Sequence, residues 1–310
     1  MSVAIEKSPG PAAAGPPAGS DGSDGPGGRR RKRTGRSPDT ERTGLLRYPF
    51  IIIVLLFSAF PVYWTFLIPS RTNAEVSQVP PPFIPGGHFF ENVRRVFDTV
   101  DFGKALLNSF LVAGSITFTT LLFCSLAGFA FAKLQFRGRG ALLLLVIGTM
   151  MVPVQLGIIP LYIEMQQFGW TNHLISVIVP TAVTAFGVVF MRQYAMQAVP
   201  DELLEAGRMD GCSTIGLYWH VVLPALRPAM AVLGLLTFMQ AWNDFMWPLI
   251  ALNPQNPTVQ VALSTLSSGF YRDNTLVLAG TAIGTLPVLI IFAIFGRQII
   301  SGIMEGAVKG

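Results

Sequence analysis

Six long apolar runs with almost no charge constrain this chain more than anything else in it: Tyr48–Ile68, Asn108–Ala132, Ala141–Ile163, Leu174–Met191, Met230–Ala251 and Leu276–Phe295. Each holds about 18–25 residues, and at a rise of about 1.5 Å per residue that length crosses the ~30 Å hydrocarbon core of a bilayer as a helix. Asp244 is the one charge within them. Hydrocarbon offers no water to backbone N–H and C=O groups, so such runs must pair their own backbone as helices, and they are too continuously apolar for the alternating strands of a barrel. The expectation is an all-α, polytopic membrane protein of six transmembrane helices. Composition agrees, with 51% hydrophobic and 13% charged residues, against about 25% charged in a soluble domain.

Basic residues flank the runs unequally, and their excess marks the cytoplasmic side. With the amino terminus inside, the arginines and lysines up to Arg47 fall on the same side as Lys133, Arg137, Arg139, Arg192, Arg208, Arg227, Arg297 and Lys309. Only Arg71, Arg94, Arg95, Lys104 and Arg272 fall opposite. Both termini are therefore expected in the cytoplasm. Residues 1–47 open on Pro, Gly, Ala and Ser and continue through the basic block Arg29-Arg30-Arg31-Lys32-Arg33, too poor in apolar side chains to order themselves. They read as a disordered basic cytoplasmic tail ahead of a transmembrane domain spanning 48–310. A signal peptide is the competing reading; the first run exceeds a typical signal core and ends at Pro69-Ser70-Arg71 without a small-x-small cleavage site, which favours an uncleaved helix. The basic block has no interleaved aromatic residues to stack on bases, so no nucleic acid is expected as a partner.

Punctuation inside the runs suggests bending. Pro153, Pro160, Pro180, Pro248 and Pro287 each remove a backbone donor within or at the end of a run, and Gly148, Gly157, Gly187 and Gly234 permit either movement or close helix contact. The segment Ser70–Gly103, with Pro80-Pro81-Pro82 and Pro85, reads as a loop of extended and short helical pieces outside the cytoplasm.

The basic-flanked gap between the fourth and fifth runs, residues 197–228, has an organisation of its own. Pro200 can open a helix, Asp201 and Glu202 place negative charge on its first turn, and Gly211 can end it in a left-handed conformation. Leu203, Leu204 and Met209 offer apolar contact, and Ala206 and Gly207 leave a shallow face. Ser213 and Thr214 can cap a second turn through Tyr218 and Trp219, after which Pro224 and Pro228 reset the chain before the fifth run.

Within this gap, Glu205-Ala206-Gly207-Arg208-Met209-Asp210-Gly211 followed by Val221-Val222-Leu223-Pro224 resembles the loop by which permease subunits of bacterial ABC importers dock on their ATPase. That family's pattern is Glu-Ala-Ala, then Gly, then Ile-x-Leu-Pro; Gly207 stands for the second Ala and Val221 for the Ile. Trp242-Asn243-Asp244-Phe245-Met246-Trp247-Pro248-Leu249, Asn108-Ser109 and the ending Gly306-Ala307-Val308-Lys309-Gly310 are similar to the carbohydrate branch, close to its smaller maltose-type subunit. The resemblance covers about 48–310. It implies the type I importer fold, a bacterial plasma-membrane location and a cytoplasmic ABC ATPase dimer as partner. It further implies a second homologous permease, an extracytoplasmic sugar-binding protein, and a cytoplasmic carboxyl tail, 297–310, reaching toward the ATPase. Glu205, Ala206, Gly207, Asp210, Gly211, Leu223 and Pro224 are then the coupling residues. Trp242, Asn243 and Asp244 are candidates for the substrate path, with Asp244 capping backbone or pairing with the second permease as the alternative. The expected substrate is a di- or oligosaccharide of cellobiose-like or maltose-like kind, or a polyol or glycerol phosphate.

No cofactor is expected on this chain, since ATP would bind the partner. There is no phosphate-cradling Gly-x-x-x-x-Gly-Lys loop, no His-Glu-x-x-His, no Gly-x-Ser-x-Gly and no Cys-x-x-Cys. His88, His173 and His220 are scattered, and Cys124 and Cys212 are too few for a disulfide framework or a metal site. No enzyme is expected. A transporter working alone remains a different class; it would need ionisable residues within the membrane, for which Asp244 is the single candidate.

Overall fold

The structure is a computed structural model that describes residues 38–268 and 273–307, with side chains over 48–268 and 273–296. The basic block Arg29–Arg33, Arg272 and the last three residues lie outside the described residues. Fourteen α-helices are described. In chain order they are α1 (Pro38–Leu67), α2 (Asn73–Val76), α3 (Phe89–Thr99), α4 (Phe102–Lys133), α5 (Arg139–Thr149), α6 (Ile158–Gln167) and α7 (Ile175–Thr181). There follow α8 (Ala185–Ala198), α9 (Asp201–Met209), α10 (Thr214–Leu217), α11 (Leu223–Trp242), α12 (Met246–Ala251), α13 (Val259–Ser267) and α14 (Asn274–Ala307). No strand occurs among the described residues, and the all-α expectation holds.

Four stretches are long and apolar enough to cross a membrane as single helices: Tyr48–Ser70, Phe102–Lys133, Thr214–Trp242 and Asn274–Gly296. Two bent pairs of helices raise the number to six where each pair is taken as one span. α5 meets the segment Val154–Gln167 at 91°, and α7 meets α8 at 43°. The third run, read as one helix over Ala141–Ile163, is therefore broken at Met150–Pro153, because Pro153 lacks a donor and drives the residue before it out of helical geometry. In the fourth, the helix gives way just beyond Pro180, and Thr184 restarts the chain by accepting the Gly187 N–H at 3.0 Å.

Helix boundaries move for local reasons. α1 begins at Pro38, ahead of the boundary expected at 48, and proline suits a first helical turn. α4 begins at Phe102 rather than Asn108, capped by Asp101, whose Oδ1 accepts the Lys104 N–H at 3.1 Å. The fifth span runs Thr214–Trp242, not Met230–Ala251, so the proline pair does not reset the chain. A widened turn of π type over Tyr218–Val222 precedes Pro224 and absorbs its missing donor. At the carboxyl end α14 continues helical to Ala307, through the segment expected as a tail.

α4 is the central element and packs most extensively on α8 and α11. Small residues make this possible: a Cβ on Gly187 would lie 2.7 Å from the Cys124 sulfur, and one on Gly234 would lie 3.2 Å from Leu121. Gly148 and Gly157, which flank the sharp bend, face open space instead. Three apolar cores result. One joins the Lys133 end of α4 to α8, α9, α10 and α11 through Phe129, Met191, Leu204, Leu217, Tyr218 and Leu226. A second joins its Phe102 end to α3, α11, α13 and α14. The third gathers Val112, Ile116, Met165, Val177 and Trp247 from α4, α6, α7 and α12.

Candidate functional site

The first half of the gap between the fourth and fifth spans forms the short helix that the sequence suggests. α9 opens after Pro200 with Asp201 and Glu202 in its first turn. It ends in a Schellman motif: Gly211 takes φ +81°, its N–H bonds to Arg208 O at 3.0 Å, and the Cys212 N–H bonds to Gly207 O at 2.9 Å. Ser213 then caps α10, accepting the Gly216 N–H at 3.1 Å.

The two faces of α9 differ. Leu204 is buried, and Gly207 meets α10 so closely that a Cβ there would lie 2.5 Å from Leu217 Cδ2. Gly207 therefore faces the molecule's own core rather than forming part of an open shallow face with Ala206. The other side carries Leu203, Glu205, Ala206, Met209 and Asp210, all exposed, with Met209 89% exposed. Ile215 and Trp219 extend this apolar exposure onto the next turns. Leu223 is half-buried and Pro224 exposed at the start of α11.

Contacts that the sequence did not single out hold α9 in place. The Lys133 ammonium, on a side chain only 8% exposed, pairs with the Asp201 carboxylate at 2.8 Å. Tyr218 is buried, its ring against Phe129 and its hydroxyl 2.7 Å from Ser125 Oγ. The one available signal was chemical, since a phenol and a serine inside apolar segments need partners. A recess of about 530 Å³ between the α4–α5 connection and these helices is lined by Lys133, Leu134, Gln135, Phe136, Arg208 and Thr214.

The second candidate group lies where α11 stops. Trp242 is buried, stacks on Phe238 with centroids 5.6 Å apart and donates Nε1–H to Gly284 O of α14 at 3.1 Å. Its polar atom is spent on the core. Asn243 is exposed, donates to Met239 O at 2.8 Å and accepts from Gln260 Nε2 at 3.4 Å. Asp244 sits in the non-helical turn between α11 and α12, outside any spanning helix, and its carboxylate faces the backbone N–H groups of Trp247, Met246 and Phe245. It stands one residue before Phe245, the N-cap residue of α12. No three His, Cys, Asp or Glu side chains gather as a metal site among the described residues.

Residues 124–303 match the family described as "Binding-protein-dependent transport system inner membrane component". The arabinooligosaccharides transport system permease protein AraQ of Bacillus subtilis (strain 168) is 31% identical over 265 residues, covering 84% of this chain and 94% of that protein. The lactose transport system permease protein LacG of Rhizobium radiobacter is 31% identical over 266 residues, covering 86% and 96%. The sn-glycerol-3-phosphate transport system permease protein UgpE of Pectobacterium atrosepticum is 29% identical, covering 84% and 96%. Among solved structures, a chain of a bacterial ABC transporter involved in the import of the acidic polysaccharide alginate superposes with a TM-score of 0.73. At 22% identity, over 84% of this chain and 98% of that one, it shares the fold. With a family match reaching from α4 into α14 and relatives aligned over nearly their whole length, this chain belongs to the inner-membrane components of binding-protein-dependent transport systems, in the bacterial plasma membrane.

Proposed function

We propose that this chain is one permease subunit of an ATP-driven sugar importer, paired with a second permease, seated on a cytoplasmic ATPase dimer and fed by an extracytoplasmic sugar-binding protein. The reading rests on α9: its inner face is tied to α4 and α10, while Leu203, Glu205, Ala206 and Met209 stay exposed on its outer face. A short helix fixed on one side and open on the other suits docking, and Glu205 and Asp210 give that face negative charge. Both termini and α9 face the cytoplasm. ATP binds and is hydrolysed on the partner, and movement there displaces α9 and exchanges inward for outward access.

The substrate class is a di- or oligosaccharide, by analogy with the arabinooligosaccharide and lactose permeases among the relatives. The glycerol-phosphate permease among them supports a phosphorylated polyol as the second reading. The test is uptake into proteoliposomes carrying the reconstituted complex and its binding protein, with labelled lactose, arabinooligosaccharide and sn-glycerol-3-phosphate. ATP-dependent uptake of an oligosaccharide is expected. Uptake of glycerol phosphate alone would move the assignment to the second reading, and uptake that ignores ATP would overturn both.

A further inference from the structure

α4 differs in kind from the other spans. Its 32 residues, Phe102–Lys133, contain no proline, whereas each of the other five spans carries at least one: Pro61, Pro153, Pro180, Pro228 and Pro287 are examples. Proline bends a helix and gives it a place to flex; α4 has none and runs unbroken, its Gly114-Ser115 pair included. It is also fastened at both ends by polar contacts.

At the Lys133 end there are two fastenings. Ser125 Oγ lies 2.6 Å from Leu121 O and 3.1 Å from Leu122 O, and carbonyls only accept, so the serine proton is committed to its own helix. The 2.7 Å contact with Tyr218 therefore has the phenol O–H donating to Ser125 Oγ. Tyr218 is 1% exposed and Ser125 0%. Two helical turns further on, about 12 Å along the axis, Lys133 pairs with Asp201. Two ties at separate heights, one to α9 and one to the π turn that follows α10, fix the tilt of α4 as well as its position. Apolar contacts can slide; a buried O–H···O bond keeps its length.

At the Phe102 end, Asn108 Nδ2 donates to Asn256 Oδ1 at 3.0 Å and Pro257 O at 2.9 Å, and the Val259 N–H donates to Ser109 Oγ at 2.8 Å. These bonds hold the connection between α12 and α13 to the start of α4. The same helix thus grips the coupling segment at one end and the opposite loop at the other.

We infer that α4 is the rod that carries displacement of α9 unbent to the α12–α13 connection, and that Tyr218 is the positioning residue that engages the rod through Ser125. This rests on the proposed docking of α9 to an ATPase. The test is sugar moved per ATP hydrolysed by the whole reconstituted complex, for Tyr218→Phe, Ser125→Ala and the double variant, with assembly followed by size-exclusion chromatography. Each single variant should assemble normally and lower the ratio about fivefold, the equilibrium shift one neutral hydrogen bond supports. The double variant should be no worse than either single one, since both remove the same link. A wild-type ratio in Tyr218→Phe, multiplying effects in the double variant, or impaired assembly at an unchanged ratio would each overturn the inference. Glu205→Lys, run alongside, separates the two readings: loss of the ATPase from the purified complex upholds docking whatever Tyr218 does. Retention of the ATPase with wild-type uptake removes docking, and the rod falls with it.

Discussion

Gly211 holds a left-handed backbone with φ +81°, and open space surrounds the position where a Cβ would stand. The obstacle to substitution is therefore conformational rather than steric crowding. Gly211→Val should cost about 1–2 kcal/mol at that residue, loosen the end of α9 and reduce ATPase co-purification, while Gly211→Asn, which tolerates this conformation, should retain most of it. Asp273 offers a test in solution at the same scale. Burial would raise its pKa, but hydrogen bonds from Thr275, Arg95 and the Leu276 N–H outweigh that and hold the carboxyl below its ordinary value. The group thus stabilises the fold at pH values above the unfolded aspartate pKa of about 3.9, and this contribution is lost as pH falls through the lower folded value. The melting temperature of Asp273→Asn in detergent should lie below wild type at pH 7, with the gap closing as the pH drops below 4. A gap independent of pH would contradict the linkage. Residues of this kind were half legible: Gly211 announced itself by following an acidic-started helix, whereas Lys133 and Tyr218 owe their importance to partners 68 and 93 positions away.

Asp244 acquires its meaning at the scale of the element. It stands before α12, whose Trp247 is buried and donates Nε1–H to Ser176 O of α7 at 3.0 Å. Because the carboxylate faces the first N–H groups of that helix, Asp244→Asn should leave assembly and sugar affinity close to wild type, since asparagine accepts the same N–H groups. Asp244→Ala should cost about 1 kcal/mol and lower assembly instead. Unchanged assembly with altered uptake KM in both variants would restore the substrate-path role. The apolar runs made the membrane-crossing segments visible, but a run of Leu, Val and Met reads alike whether its backbone bonds continue or fail. The 91° break after Thr149 and the end of the fifth span at Trp242 depend on where hydrogen-bond ladders stop, and hydropathy does not record that.

At the scale of the whole molecule, the alternation of spans sets Ser213 and Asn256 at opposite ends. Single cysteines placed there, in a background lacking Cys124 and Cys212, should differ in labelling by a membrane-impermeant thiol reagent: only position 256 should react in intact cells. Equal reaction at 213 would invert the orientation drawn from basic residues. That architecture was the most legible level, because crossing a bilayer leaves a chain few options; the way α4 ties both ends together was not, since it lies in tertiary pairings. One further consequence follows from the π turn at Tyr218–Val222. Such a turn holds one residue more than regular winding, so the first turns of the helix Thr214–Trp242 are out of phase with the rest by about 100°. Chain length at this point acts as an angular setting, fixing the azimuth at which everything upstream, α9 included, leaves the membrane-spanning shaft. Deleting exposed Trp219 should let the helix wind regularly, insert normally and present α9 a quarter-turn astray, so that the ATPase is lost although every residue of α9 is intact.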